Sequence, residues 1–393
     1  MDRRTYLALV GTAGAATLAG CTGRRTGTDP PAEGSAYAVE EVATGLERPW
    51  GMVHLPDEPR LLLTERVGRL SLLDRDGGGR QRVEGTPEVF AGGQGGLLDV
   101  ALHPDFPDEP WVYLTYSRAR DDGASTTRIG RGRLDRSGSG PRLESFEVLY
   151  TAEPYVESSG HFGSRLAFDP AGLLYATVGD RQFKNFGPDH PAQDLGNDLG
   201  TTLRLAADGS VPASNPFVDD PDARDAIFTW GHRNAQGLTA HPDTGDVWEA
   251  EFGEQDGDEI NVLEAGANYG WPVADEGCTY GSGQPIGVSH DEREDVVGPV
   301  FSWPCGSGGF PPSGAVFYEG AAFPEWEGDL FVGGLASQYL ARFGVDGREV
   351  TQTGQLLADR GWRIRDVAVA PDSGHLYVAV DAGSAPLVRL VPA

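Results

Sequence analysis

Four segments of the chain carry polar residues that no turn requires. They are residues 92–98 (GGQGGLL), 159–166 (SGHFGSRL), 230–238 (WGHRNAQGL) and 251–261 (EFGEQDGDEIN), the last continuing to 268–272 (NYGWP). Glycines in the first segment would let the backbone approach a ligand closely, because glycine has no Cβ. An isolated histidine is usually structural, but an imidazole titrates near neutrality and can act as a general base. The fourth segment is rich in acidic residues, which a solvated acidic loop would also explain.

A recurring hairpin pattern must position these segments. An aliphatic strand leads into a Pro, Asp or Gly turn and a second apolar strand, in copies at 51–65, 100–117, 166–180, 238–253, 323–336 (a looser copy) and 367–383. Period-two apolar runs around such turns predict one β-hairpin per copy. Six copies predict an all-β fold, a six-bladed β-propeller, over residues 37–393. A β-sandwich with a second domain explains the repeats poorly.

Uneven spacing of the copies predicts long loops between blades, notably around 183–194 and 274–314. Long loops on a rigid scaffold usually build a functional site. Cys278 and Cys305 both lie in the second of these regions, and a disulfide between them is a possibility that the sequence leaves open.

The first residues indicate export. Arg3 and Arg4 precede an apolar run of small residues, and residues 18–21 (LAGC) resemble a lipoprotein cleavage box. We therefore expect a twin-arginine signal over 1–21, lipidation of Cys21 and a flexible tether over 22–36, which would place the domain on the outer face of the cytoplasmic membrane. The alternative, an uncleaved N-terminal anchor, also places the domain outside the cytoplasm.

The charge balance excludes one class of partner. The chain has 59 acidic and 31 basic residues, a net charge of −28, and Lys184 is its only lysine. Such a field repels nucleic acid and anionic lipid headgroups, so we expect no nucleic-acid partner and membrane contact through the lipid anchor only. The composition is typical of proteins adapted to high salt, where screening removes self-repulsion; an ordinary acidic secreted protein is the alternative.

Three motifs in one order carry a family resemblance. HFGSRL (161–166), HRNAQGL (232–238) and GDEINVLEAGANYGWP (257–272) resemble the soluble glucose/sorbosone dehydrogenase family, which includes the aldose sugar dehydrogenases. The resemblance covers residues 37–392. It implies a six-bladed propeller that oxidises an aldose or related alcohol with pyrroloquinoline quinone (PQQ) and Ca²⁺. Electrons would pass on to the membrane quinone pool or to a soluble redox carrier.

The resemblance also implies roles for individual residues at the reaction centre. His161 matches the general base, which would take the hydroxyl proton of the substrate. Gln94 matches a residue that hydrogen-bonds both substrate and quinone. Arg233 and Asn234 match contacts to the reactive carbonyl, where a guanidinium stabilises developing negative charge.

Further positions match binding residues of the family. Arg363 and Arg365 match arginines that face the carboxylates of the cofactor through charge-assisted pairs. The positions that match calcium ligands are Gly253 and Glu254, through backbone carbonyls, and a second, structural region at Asp258, Glu259 and Tyr269. Trp303 matches, loosely, an aromatic ring that stacks on the substrate.

Some positions depart from the family pattern. Glu254 stands where relatives usually have proline. A residue that binds metal through its backbone carbonyl tolerates this change of side chain. Ala336 lies where some members place a lysine on the cofactor. Gly160 precedes His161 where an aspartate would be expected, so another residue must orient the imidazole.

Two other functions fit a propeller. A non-catalytic propeller could bind glycans or partner proteins, but the joint presence of His161, Gln94, Arg233 and Asn234 argues against it. A calcium-dependent lactonase would need a central cage of carboxylates from several blades, and no convincing set of such residues is present.

Overall fold

The protein is a β-propeller. A computed structural model describes residues 36–56 and 58–393. Its strands form six four-stranded antiparallel sheets, which confirms the predicted six-bladed architecture. Four short 3₁₀ helices lie in loops, at Pro191–Gln193, His290–Glu292, Pro324–Trp326 and Ala358–Arg360, and none in the described ranges is long and apolar enough to cross a membrane. The predicted signal, Cys21 and all of the predicted tether except residue 36 lie outside the described residues.

Each blade is a meander whose first strand is the innermost. Blade 1 consists of β2–β5 (Pro49–His54, Arg60–Glu65, Arg69–Asp74, Arg80–Val83), and blade 2 of β6–β9 (Leu97–Leu102, Trp111–Ala119, Ser125–Asp135, Arg142–Thr151). Blade 3 consists of β10–β13 (Leu166–Phe168, Leu174–Val178, Thr201–Leu205, Ile227–Trp230). Blade 4 consists of β14–β16 and β19 (Ala235–Ala240, Val247–Glu251, Asp258–Val262, Phe301–Trp303), with an inserted hairpin of β17 and β18 (Ala274–Cys278, Pro285–Gly287). Blade 5 consists of β20–β23 (Pro312–Phe317, Leu330–Gly334, Leu340–Asp346, Glu349–Leu356), and blade 6 of β24–β26 (Ile364–Val369, Leu376–Val380, Ala385–Pro392).

The two ends of the described chain close the ring. Strand β1 (Tyr37–Leu46) is the outermost strand of blade 6, and it pairs antiparallel with β26 from Tyr37 opposite Pro392 to Leu46 opposite Ala385. Backbone hydrogen bonds therefore join the first and last strands in one sheet, so that no blade is left open.

The apolar core is divided among the blade interfaces. Alternating strand residues place aliphatic side chains on both faces of each sheet, and each face packs on the neighbouring blade. Leu62 and Leu72 of blade 1, for example, pack with Val112 and Leu114 of blade 2. Six such clusters, one for each pair of adjacent blades, hold the ring together.

Five of the six repeat copies are the inner hairpins of blades, as predicted. The looser copy at 323–336 is not a hairpin. It contains a 3₁₀ helix and only one strand, β21, which pairs with the earlier strand β20. The prediction was wrong here because residues 318–329 form a long connection that carries its own Pro and Gly residues.

A buried arginine ties the inner strands together. Arg165 lies within 3.1 Å of the carboxylates of both Asp99 and Asp366, and it donates to the carbonyl oxygen of Gln236 at 2.6 Å. Its guanidinium also covers the ring of Trp50 at 4.2 Å. These contacts join blades 1, 2, 3, 4 and 6.

Candidate active site

Loops at one end of the blades enclose a cleft of about 760 Å³. The two loop regions predicted from the uneven repeat spacing both contribute to its wall, through Lys184 and through Tyr280. Its lining also includes Gln94, His161, Gln182, Arg233, Phe252, Gly253, Glu254, Asp256, Asp258, Leu335, Ala336 and Arg363. The structure thus brings most of the candidate residues to one place.

His161 is held by a carboxylate that the sequence did not identify. Its Nδ1 lies 2.6 Å from Oδ1 of Asp180, which ends the inner hairpin of blade 3. The other oxygen of Asp180 accepts a hydrogen bond from Nε1 of Trp271 at 2.9 Å. This arrangement places the ring proton on Nδ1 and leaves Nε2 as the acceptor, the form that a general base requires. The orientation that Gly160 cannot supply therefore comes from Asp180.

The backbone of His161 is held from blade 2. Its φ of +47° is unusual for a residue with a side chain. The N–H of His161 donates to Oε1 of Gln94 at 2.7 Å, and the N–H of Gln94 donates to the carbonyl of Ser159 at 2.7 Å. A Cβ on the adjacent Gly93 would lie 2.3 Å from that carbonyl, so glycine is required for the two loops to meet. The side-chain amide nitrogen of Gln94 can therefore donate to a ligand in the cleft.

The electrostatic setting keeps His161 neutral. Burial and the nearby Arg233 guanidinium lower the pKa of His161, against the opposing effect of Asp180. Burial opposes ionisation of Asp180, but the hydrogen-bonded His161 and nearby Arg233 lower the pKa of Asp180 overall. His161 is therefore a neutral imidazole beside the charged carboxylate of Asp180. Catalytic bases use the same pairing.

Arg233 lines the cleft, the adjacent Asn234 is buried behind it, and both have donors without partners among the described residues. Glu251 accepts a hydrogen bond from the backbone N–H of Arg233 at 2.7 Å, and Oδ1 of Asn234 accepts one from Gly163 at 3.1 Å. Nε of Arg233 and Nδ2 of Asn234 are buried and have no partner among the described residues. Buried donors without acceptors are costly, so this wall is suited to a ligand that carries oxygen atoms.

A smaller chamber of about 310 Å³ adjoins the cleft and shares Gln94, Phe252, Leu335 and Arg363 with it. Arg365 is buried there, donating to Asp381 at 2.8 Å and to Gln236 at 2.6 Å, while its Nε has no partner in the described chain. Arg363, whose side chain is 44% exposed, lies 3.7 Å from the same Asp381. The single carboxylate of Asp381 therefore lies beside two arginines, so this group of three side chains has a net positive charge.

Two more arginines line this chamber and were not predicted. Arg48 lies 3.9 Å from Asp381, and Arg66 donates only to backbone carbonyls, including that of Gly95 at 3.1 Å. Burial and the neighbouring Arg365 and Arg48 lower the pKa of Arg66. Four guanidinium groups and one carboxylate line this arginine chamber, so positive charge predominates there and suits an anionic ligand. Arg48 and Arg66 lie near strand ends of blade 1, outside the sequence motifs that indicated the site.

The first proposed metal position lies on the outer wall of the cleft. Gly253 and Glu254 line it together with Asp258, whose carboxylate accepts hydrogen bonds from the N–H groups of Gly253 (3.1 Å) and Phe310 (2.6 Å). Burial raises the pKa of Asp258 to about 6. The carboxylate of Glu254 instead contacts Arg233 at 2.5 Å and Lys184 at 2.6 Å, and these two cations hold the pKa of Glu254 below its usual range despite partial burial. Hard oxygen ligands are thus available at this wall.

The second proposed metal region is divided by the strand. Successive residues of β16 point to opposite faces, so Asp258 faces the cleft while Glu259 faces away from it, and the structure does not bring these two side chains together. Glu259 lies among buried acceptors, and its Oε1 and Oδ1 of Asn261 have no partner among the described residues. Burial, with the charge of Glu251 adding to it, raises the pKa of Glu259 well above its usual value. Burial raises the pKa of nearby Asp275, which was not predicted, to about 8.

Tyr269 takes part in that region only through its backbone. Its hydroxyl donates to the carbonyl of Val262 at 2.6 Å, whereas its own carbonyl lies 3.2 Å from Nε2 of His290. Its ring stacks on His232 at 4.8 Å. Burial opposes protonation of His232, but Glu249 and Glu251 raise its pKa to about 10, so an imidazolium balances two of the buried carboxylates. The remaining excess of acceptors around Glu259 fits a hard cation.

Trp303 does not lie where the resemblance placed it. Its ring is buried, stacks on Phe310 at 4.6 Å and packs against Phe343 in the core between blades 4 and 5. The aromatic side chains at the cleft are Phe252 and Tyr280, and Tyr280 is 68% exposed.

The structure contains the disulfide that the sequence left open. Cys278 ends strand β17 and Cys305 follows β19, with Cα atoms 5.5 Å apart. The N–H of Cys305 also donates to the carbonyl of Glu276 at 2.8 Å. The crosslink fixes the inserted hairpin, and with it Tyr280, beside the cleft.

Fold and site together define a propeller with a polar cleft, in which a neutral imidazole lies beside unused donors and an arginine chamber. The chain belongs to the glucose/sorbosone dehydrogenase family, because the family model described as Glucose / Sorbosone dehydrogenase matches residues 46–389. This confirms the family that the three motifs indicated.

Individual relatives cover nearly the whole chain. The aldose sugar dehydrogenase YliI of Escherichia coli (strain K12) is 38% identical over 90% of this chain and 92% of the relative. The quinoprotein glucose dehydrogenase B of Acinetobacter calcoaceticus is 28% identical over 89% of this chain and 86% of its own. The PQQ-bound aldose sugar dehydrogenase of Streptomyces coelicolor superposes with a TM-score of 0.73 at 28% identity, covering 92% of this chain and 99% of that one. These relatives are sugar dehydrogenases.

Proposed function

We propose that the protein is a PQQ- and Ca²⁺-dependent dehydrogenase that oxidises an aldose, or a related alcohol, to the lactone or carbonyl. One observation carries the proposal: His161, with Nδ1 fixed by Asp180, lies in the same cleft as Arg233, and Nε of Arg233 and Nδ2 of the adjacent, buried Asn234 have no partner among the described residues. A base and a set of oxygen-binding donors in one enclosed space are what oxidation of an alcohol by a quinone requires.

The chain's donors suit a quinone that carries carboxylates. The unpartnered nitrogens of Arg233, Asn234 and Arg365 await acceptor oxygens, and the arginine chamber offers positive charge at one end of the cleft. Arginine pairs with carboxylates through two parallel hydrogen bonds, which gives both affinity and orientation. The PQQ-bound relative supports the same cofactor for this chain.

The chain's residues would divide the work as follows. When bound, the quinone supplies the hydride acceptor. Nε2 of His161 takes the hydroxyl proton of the substrate as the carbon–hydrogen bond breaks and the carbonyl forms. Asp180 keeps the proton on Nδ1 and stabilises the imidazolium that results, while Arg233 and Gln94 direct donors at developing negative charge. The membrane quinone pool or a soluble redox carrier would accept the two electrons.

Ca²⁺ would bind at two places. Backbone carbonyls of Gly253 and Glu254, with oxygens of the cofactor, would hold one ion in the cleft, and Glu259 with the carbonyl of Tyr269 would hold a structural ion behind it. Two neutral carbonyls are too few for a cation that takes six to eight oxygens, so cofactor and metal should bind as one unit.

Calorimetric titration of the purified protein with PQQ, with and without Ca²⁺, tests this proposal. Each ligand should raise the affinity of the other by the same factor, as linkage demands. Equal PQQ affinities in the two conditions would show that no shared site exists.

A further inference from the structure

The only lysine of the chain lies in the cleft. Lys184 belongs to the loop between β11 and β12 of blade 3, and its Nζ is 2.6 Å from each carboxylate oxygen of Glu254 in blade 4. The lysine side chain is 55% exposed, whereas that of Glu254 is 5% exposed. The pair therefore bridges two blades across the cleft wall, with its anionic end inside.

Glu254 also occupies Arg233. One oxygen of its carboxylate lies 2.5 Å from Nη2 of Arg233, whose Nη1 donates to the carbonyl of Phe252 at 3.3 Å. A single carboxylate is thus shared by the two cations of this wall. In this arrangement, part of the guanidinium is already used by an anion of the protein itself.

An anionic ligand oxygen that approaches Nη2 of Arg233 must compete with Glu254. If Arg233 were the only partner of Glu254, its displacement would leave a little-exposed carboxylate uncompensated, which is strongly unfavourable. Lys184 removes that difficulty, because both carboxylate oxygens already contact its Nζ. An ammonium on a flexible four-carbon chain can also follow a moving carboxylate better than a planar guanidinium can.

We propose that Glu254 is an internal competitor for the anion site at Arg233, and that Lys184 sets the cofactor affinity by retaining Glu254 when the ligand binds. Lys184 is thus a positioning residue that acts through Glu254. The inference rests on the proposed function, since it takes the ligand at Arg233 to be the anionic quinone.

A double-mutant cycle with PQQ in saturating Ca²⁺, read by calorimetry, tests this. Lys184→Gln should weaken PQQ binding about tenfold, because Glu254 then remains on Arg233. Glu254→Gln keeps the backbone carbonyl and should bind PQQ at least as tightly as the wild type. The double variant should recover the affinity of Glu254→Gln. Arg142→Gln, which removes a surface cation that is 54% exposed on blade 2, is the matched control and should bind as the wild type does.

The contrary outcomes separate the hypotheses. Equal affinities of the wild type and Lys184→Gln would overturn the inference while leaving the proposed function intact. A double variant as weak as Lys184→Gln would also overturn it, since Lys184 would then touch the ligand directly rather than act through Glu254. A wild-type protein that does not bind PQQ would overturn the proposed function and this inference together.

Discussion

Oδ1 of Asp180 lies 2.6 Å from Nδ1 of His161, although 19 positions separate the two residues in the chain. The contact depends on the inner hairpin of blade 3, which brings residue 180 back beside residue 161. Asp180 also accepts from the backbone N–H of Gln182 at 2.8 Å and from Trp271, so its position is fixed on three sides. The imidazole is oriented by this carboxylate rather than by the residue that precedes it.

Replacing Asp180 with Asn should lower turnover by about 10²-fold or more, because the amide can donate to Nδ1 and move the ring proton to Nε2. The neutral form of His161 is the active one, so kcat/KM falls as pH drops through its lowered pKa. Asp180 raises that pKa, and its loss should therefore move the acid limb of the profile to lower pH. A pH profile with an unchanged acid limb and near-normal turnover would contradict the assigned role. Thermal unfolding followed by circular dichroism shows whether the variant is folded.

Replacing Glu259 with Gln should remove a stabilising effect of Ca²⁺. A ligand that binds only the folded state raises Tm, and Ca²⁺ at 100 times its Kd contributes about 2.7 kcal/mol. The wild type should thus unfold a few degrees higher in Ca²⁺ than in chelator, and Glu259→Gln should not. Glu264→Gln, on an exposed loop nearby, is the control and should keep the shift. An equal shift in Glu259→Gln would remove this residue from the metal site.

Replacing Arg363 with Gln should weaken PQQ binding about tenfold, because a charge-assisted hydrogen bond is lost from the mouth of the arginine chamber. The side chain is 44% exposed, so the fold should tolerate the change. Calorimetry at two salt concentrations checks the effect, which should shrink as salt rises. Unchanged affinity would mean that the chamber does not receive the cofactor.

Replacing Cys21 with Ser should release the domain into the medium or leave an unprocessed precursor, because the lipidated thiol would be absent. Fractionation and metabolic labelling with a fatty acid measure both outcomes. Lipid labelling that persists in Cys21→Ser would show that the anchor lies elsewhere.

The architecture was readable from the sequence because each inner hairpin repeats the same local pattern. A turn of Pro, Asp or Gly between apolar runs depends on neighbouring residues only, as in residues 166–180. The hairpin predicted at 323–336 is absent because its Pro and Gly residues belong to a long connection, and the strand that pairs with β21 is the earlier strand β20. Local patterns specified the blades, but not every strand boundary within them.

The site was only partly readable because its contacts join distant segments. The motifs pointed to His161 and Arg233, which line one cleft. Asp180 and Arg66 carry no motif, and their roles follow from blades that meet in space. Trp303 was matched to the cleft only loosely, and its ring packs in the core because Trp303 ends strand β19 between blades 4 and 5.

Dye-linked oxidation of a panel of aldoses, by wild type and His161→Gln with PQQ and Ca²⁺ added or omitted, tests the central claim most directly. The wild type should oxidise at least one aldose only when both additions are present. His161→Gln should bind PQQ as the wild type does yet turn over about 10²–10⁴-fold more slowly, because the positioned base is gone. Turnover by the wild type without PQQ, or activity of His161→Gln within a few-fold of the wild type, would contradict the account.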